Sequence, residues 1–204
     1  MPLNMKLTKF FLLFLALLCS QLHAQQAFNA GIAIGMTTSQ ISGDGLGGWD
    51  KFGITGGAYV NAPFNKKNGL RIGLYYSQKG SRTKRDTLNF NTYSYRLNYI
   101  EVPVQWSYQN GPFTFLSGLY YGQIIKQEIL ANQLTSPVSP AFRNFDVGLG
   151  LGALVQLGDH LFVEAKFSSS ILPTRPSPNF TNPNSYYEKG NYNQVLHFLI
   201  GRNF

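Results

Sequence analysis

The stretch Phe145-Asp146-Val147-Gly148-Leu149-Gly150-Leu151-Gly152-Ala153-Leu154-Val155 alternates two kinds of side chain. Phe145, Val147, Leu149, Leu151, Ala153 and Val155 are apolar, and Asp146, Gly148, Gly150 and Gly152 between them are small or charged. Successive side chains of a β-strand point to opposite faces, so the stretch predicts a strand with one greasy face and one face of glycine and a carboxylate.

Working outward, the same alternation recurs. Phe28, Ala30, Ile32, Ile34 and Met36 oppose Asn29, Gly31, Ala33, Gly35 and Thr37; Phe52, Ile54, Ala58 and Val60 oppose Gly53, Thr55, Gly57, Tyr59 and Asn61. Leu70, Ile72, Leu74 and Tyr76 oppose Arg71, Gly73 and Tyr75, and Ile100, Val102, Val104, Trp106 and Tyr108 oppose Tyr99, Glu101, Pro103, Gln105 and Ser107. Further on, Leu161, Val163, Ala165, Phe167 and Ile171 face away from Glu164, Lys166, Ser168 and Ser170, and Leu196, Phe198, Ile200 and Phe204 from Asn193, His197, Gly201 and Asn203. A further strand spans Phe113 to Gln123, where Leu116 and Tyr120 sit on the parity opposite Phe113, Phe115, Leu119 and Tyr121 and leave its register open. About eight strands are thus expected, with no helical period beyond the N-terminal segment. Pro103 cannot donate to a ladder, so a bulge is expected beside Glu101.

The connections alternate in length. Asn65 to Gly69, Gln109 to Pro112 and Gly158 to His160 are short, whereas Ser42 to Lys51, Gly80 to Tyr93, Lys126 to Ala141 and Leu172 to Asn191 are long. A closed, antiparallel, up-and-down transmembrane β-barrel with both ends in the periplasm predicts this order, with short turns inside and long loops outside.

The N-terminus fits export. Lys6 and Lys9 precede the apolar run Phe10 to Leu18, and Leu22-His23-Ala24 offers a small residue before a cut near Ala24. The run is too short for a membrane-spanning helix. The expected division is a signal peptide over 1–24 and one barrel domain over 25–204. The single cysteine, Cys19, falls within the segment read as removed, so disulfides and thiolate metal sites are not expected. Charged residues make up 13% of the chain, too few to cover a water-facing surface comfortably. The formal net charge of +8 suits a phosphate-rich membrane face.

Parity alone does not say which face meets lipid, since a soluble ligand-binding barrel inverts the same pattern. Three features choose. Arg71, Glu101, Asp146, Glu164 and Lys166 all fall on the glycine-rich parity, where a narrow lumen lets them pair; on the lipid face an Arg or Lys at mid-depth costs about 2–4 kcal/mol. Aromatics gather at strand ends on the apolar parity, with Trp106, Tyr108, Phe113 and Phe115 near one rim and Tyr76, Tyr121 and Phe145 near the other. The chain ends at Phe204 behind alternating apolar residues, the pattern of a terminal strand read by the barrel-assembly machinery. Arg96 and Arg202 break the apolar parity close to a rim, where charge reaches headgroups.

Tyr99-Ile100-Glu101-Val102-Pro103, Gly73-Leu74-Tyr75-Tyr76-Ser77-Gln78-Lys79-Gly80 and Gly148 to Ala153 resemble the PorT-like outer-membrane β-barrel family. The resemblance implies an outer-membrane barrel often described as porin-like.

For function, the lumen ions read as a polar plug, because eight strands enclose just enough room for side chains; the alternative is a narrow porin-like pore for small solutes. Lys79, Arg82, Lys84 and Arg85 form a basic cluster read either as a solvated loop or as a contact with lipid phosphate. No nucleic-acid-binding fold or motif accompanies the charge. His197 has Leu199, not a serine, two residues on, and His160 lies in a turn, so neither catalysis nor a metal or cofactor is expected. The loop with Pro173, Pro176, Pro178, Pro183, Tyr186 and Tyr187 is a surface loop by default and a protein-partner site by the sharper reading.

Overall fold

The computed structural model describes residues 28–44, 48–83, 93–131, 134–136, 141–176 and 190–204. Among them lie ten strands: β1 (Asn29–Ser42), β2 (Lys51–Pro63), β3 (Asn68–Arg82), β4 (Tyr93–Asn110), β5 (Phe113–Ala131), β6 (Leu134–Ser136), β7 (Phe145–Gln156), β8 (Leu161–Ser170), β9 (Arg175–Pro176) and β10 (Gly190–Asn203). β1, β2, β3, β4, β5, β7, β8 and β10 follow one another as neighbours in the sheet. β10 then pairs antiparallel with β1, from Gly31 opposite Asn203 to Ser42 opposite Tyr192, and closes an eight-stranded barrel. Closure removes both sheet edges, so no row of backbone donors and acceptors is left facing hydrocarbon. The short β6 and β9 pair only with β5 and β10.

The two faces separate as the alternation predicts. Ile34 (64%), Met36 (60%), Leu151 (61%) and Phe198 (55%) are exposed on the outside, whereas Arg71 and Glu164 are 6% exposed within. A soluble barrel would bury the first set and hydrate the second. Trp106, Phe113 and Phe115 on one rim and Tyr121 and Phe145 on the other are exposed, with Tyr121 and Phe145 stacked at 6.4 Å.

The fifth strand settles with Leu116 and Tyr120 buried in the lumen and Phe113, Phe115, Leu119 and Tyr121 outside. Its parity looked mixed because both faces carry bulky residues. β4 and β5 also run further than the alternation suggested and stay paired to Tyr93 opposite Ala131. The bulge expected beside Glu101 falls two residues earlier: Tyr99 opposes Ile124 while Asn98 opposes Lys126, which leaves Ile125 without a partner on β4. Around Pro103 the pairs Ile72/Val104 and Tyr75/Glu101 keep one register, with two pairings missing between them. The missing N–H interrupts the ladder there without inserting a residue.

Lumen-facing glycines do more than make room for long side chains. A Cβ at Gly35 would stand 2.0 Å from the Phe198 carbonyl oxygen, and one at Gly118 2.1 Å from that of Val104. Only glycine lets these strands coil tightly enough to close a narrow barrel.

Candidate functional site

The interior is filled in two storeys. Toward the end that carries the short turns and the C-terminus, Ala33, Tyr59, Tyr75, Leu154, Phe162 and Leu199 form a buried cluster. Within it Arg71 donates from Nη1 to Glu164 Oε2 at 3.0 Å. The guanidinium lies 4.1 Å from the centre of the Tyr59 ring, so its charge is met by a carboxylate on one side and an aromatic face on another. Below Arg71 a vestibule of about 540 Å³ opens between the turns, lined by Asn61, Ser107, Gln156, Asn203 and Arg71 among others.

The second storey lies toward the loops. Lys79, fully buried, is paired with Glu101 and, at 3.1 Å, with Asp146. Asp146 also accepts from Tyr120 Oη at 3.1 Å, Ser170 Oγ at 2.7 Å and Asn193 Nδ2 at 3.0 Å. The Lys79 ammonium lies 4.3 Å from the Tyr120 ring centre and 5.0 Å from that of Tyr99. Such an enclosed ion pair needs carboxylates around the cation and donors on the carboxylate's remaining lone pairs, because desolvation would otherwise outweigh the attraction. Above it Ile41, Leu97, Tyr99 and Phe142 form a second buried cluster. Phe142 comes from the β5–β7 connection, its N–H donating to Gln127 Oε1 at 3.1 Å, and Arg175 lies over Phe142 and Tyr95 at 5.4 and 5.7 Å.

Between the storeys Lys166 is half-buried and lies 5.4 Å from the Tyr75 ring centre. A void of about 10 Å³ remains beside it, bordered by Glu101, Gln105 and Ser168.

The five ionisable residues of the glycine-rich parity therefore all lie inside: Arg71 with Glu164 in the lower storey, Glu101 with Asp146 in the upper one, and Lys166 between them. Lys79 is a correction: it does not belong to a loop cluster at the lipid surface but completes the upper ion group. With it the interior set holds three cations and three anions. The parity Arg71, Gly73, Tyr75, Ser77, Lys79 carries that signal, since the strand continues through Gly80 to Arg82. Arg82 is half-buried at the loop-end rim; Lys84 and Arg85 lie outside the described residues, as do residues 1–24, expected to be a signal peptide, and residues 177–189 of the proline-rich loop. A second correction concerns His197. Its Nε2 sits 3.0 Å from Ser168 Oγ, a serine on the neighbouring strand that spacing along β10 could not reveal. Both groups are buried, at 1% and 3%, so the pair lies within the packed lumen. Among the described residues no three His, Cys, Asp or Glu side chains are placed to hold a metal ion.

A closed eight-stranded antiparallel barrel, apolar outside and ionic within, defines a class: the β-barrel membrane proteins of the outer membrane. The chain belongs to the outer membrane protein beta-barrel domain family, whose model matches residues 20–174. Among solved structures it is similar to Ail, the attachment invasion locus protein of Yersinia pestis, with a TM-score of 0.53 and 13% identity over 86% of this chain and 98% of that one. It is likewise similar to Neisserial surface protein A, with a TM-score of 0.50 and 13% identity over 87% of this chain and 97% of that one. At such identities the likeness is one of fold. No curated protein matches the chain.

Proposed function

We propose that this chain is an integral outer-membrane protein with a structural or interaction role, which displays four long extracellular loops on a plugged barrel. In this reading residues 1–24 are removed near Ala24, residues 25–204 form the one barrel domain, and the strand ending at Phe204 engages the barrel-assembly machinery. The loops then face outward and offer the surface for a protein partner. PorT-like membership is the finer family assignment, and no catalytic step is assigned. The observation that supports plugging is the lumen itself: two ion groups and the aromatic rings against them stand across it, and the void between the storeys beside Lys166 is about 10 Å³, room for a single water at most.

The competing reading is a narrow pore for small solutes, and the vestibule of about 540 Å³ at the turn end is what favours it. Single-channel recording in planar bilayers separates the two. A plugged barrel gives no steady conductance with the wild-type chain; a stable conductance abolished by substitutions at Arg71 or Glu164 would replace the plug with a pore. Surface proteolysis of intact cells tests the loops, which are cut from outside if they are extracellular.

A further inference from the structure

From the cleft at the loop-end rim between β2 and β3, we infer a binding site for a phosphate-bearing lipid headgroup of the surrounding leaflet. The wall parts there. Pairing between β2 and β3 reaches Thr55 opposite Ser77, while β3 continues to Arg82 against β4 and β2 reaches back to Lys51 against β1. Past that point the tail of β3 leans toward β1: Thr37 Oγ1 donates to the Gln78 carbonyl at 2.7 Å and Ser39 Oγ to that of Gly80 at 3.0 Å. Gly80 makes the bend, with φ of +146° and no space for a Cβ, which would meet the Tyr95 carbonyl oxygen at 2.0 Å.

The parted seam holds a cleft of about 310 Å³. Lys51 enters it from β2, Arg82 from β3 and Arg96 from β4, with Asp50 the one acidic residue among its described lining. Arg82 shares the outward parity of Ile72, Leu74 and Tyr76, and Arg96 that of Val102 and Val104. Lys51 is 9% exposed, and its ammonium, with three protons to donate, gives one to the Phe52 carbonyl at 3.2 Å. Arg96 and Arg82 act on Lys51 as like charges. Glu128 pairs with Arg96 at 3.7 Å but shares its charge with Lys126, which is nearer at 2.8 Å. Three convergent cations against the single carboxylate of Asp50 leave the half-enclosed cleft with a positive excess that a further anion offsets. A tetrahedral phosphate with several acceptor oxygens satisfies two guanidinium forks and an ammonium at once.

The position selects a lipid as the source. Phe52 and Leu130 flank the cations with apolar surface. Phe52, 67% exposed, also borders an outer groove of about 670 Å³ running over Ile34, Met36, Val163 and Phe198. A headgroup phosphate in the cleft thus leaves its acyl chain beside a groove that is apolar along its length. Basic pockets at this depth are where anionic headgroups collect. The inference rests on the loop end facing the outer leaflet, which surface proteolysis tests independently.

The test is native mass spectrometry of the detergent-solubilised full barrel with bis-phosphorylated lipid A, the same lipid after removal of its phosphates, and inorganic phosphate as competitor. Expected is retention of the phosphorylated lipid over the dephosphorylated one, weakened about fivefold by each of Lys51→Gln, Arg82→Gln and Arg96→Gln. Lys66→Gln, which removes equal charge at the opposite end, leaves retention unchanged. Heat-modifiable migration confirms that each variant is folded; should Arg96→Gln not fold, Arg96→Lys keeps the charge, loses the fork and is expected to weaken retention partially. Equal retention of both lipids, or a triple variant that binds like wild type, overturns the site. Displacement by inorganic phosphate at matched concentration overturns the lipid assignment in favour of a free anion.

Discussion

The two storeys of the lumen solve one problem differently. In the upper one a lysine, a compact charge on a flexible stem, is fully enclosed by Glu101, Asp146 and two tyrosine rings. In the lower one an arginine spreads its planar charge between Glu164 and the Tyr59 face and borders an open vestibule. The difference teaches that the barrel tolerates an enclosed ion only where protein groups replace the whole hydration shell, and leaves part of that task to water where the end is open.

Breaking the upper group should therefore cost most. Lys79→Met leaves two carboxylates facing each other without a cation, and a destabilisation of about 3–5 kcal/mol is expected in urea titrations of the barrel refolded in lipid vesicles. A midpoint equal to wild type would mean that Glu101 and Asp146 do not need the ammonium. Arg71→Gln should cost less, about 1–3 kcal/mol, because Glu164 can take water from the vestibule. If the same titration ranks it above Lys79→Met, the contrast between a closed and an open storey fails. Smallest is Ser168→Ala, which removes the hydroxyl beside His197 Nε2 and should lower stability by about 1 kcal/mol. Its effect should leave the ranking of the two ion groups untouched, which a double variant with Arg71→Gln checks by additivity.

Much of this was readable from residue order. A strand's faces alternate strictly, so Ile34 and Leu151 could be placed outside and Arg71, Asp146 and Glu164 inside without any knowledge of their neighbours. Lys79 was within reach too: it continues the inward parity of β3, and two cations against three anions left the interior short of one positive charge. In the sequence Gly80 reads as the start of a loop, whereas in the barrel it bends a strand that goes on to Arg82. Likewise Pro103 signals a weakened ladder, but where the extra residue enters depends on how β5 meets β4.

Residue order by itself determined the number of long strands, the two-faced split of all but the fifth and the alternation of short and long connections, because all three are consequences of local geometry and period. Only the closed barrel decided that Lys79 meets Asp146, that Ser168 meets His197, that Phe142 folds over the lumen and that β2 and β3 part beside Lys51. Those contacts join residues far apart in the chain, and the stagger between neighbouring strands around the ring, which no single strand encodes, sets which of them lie at the same height.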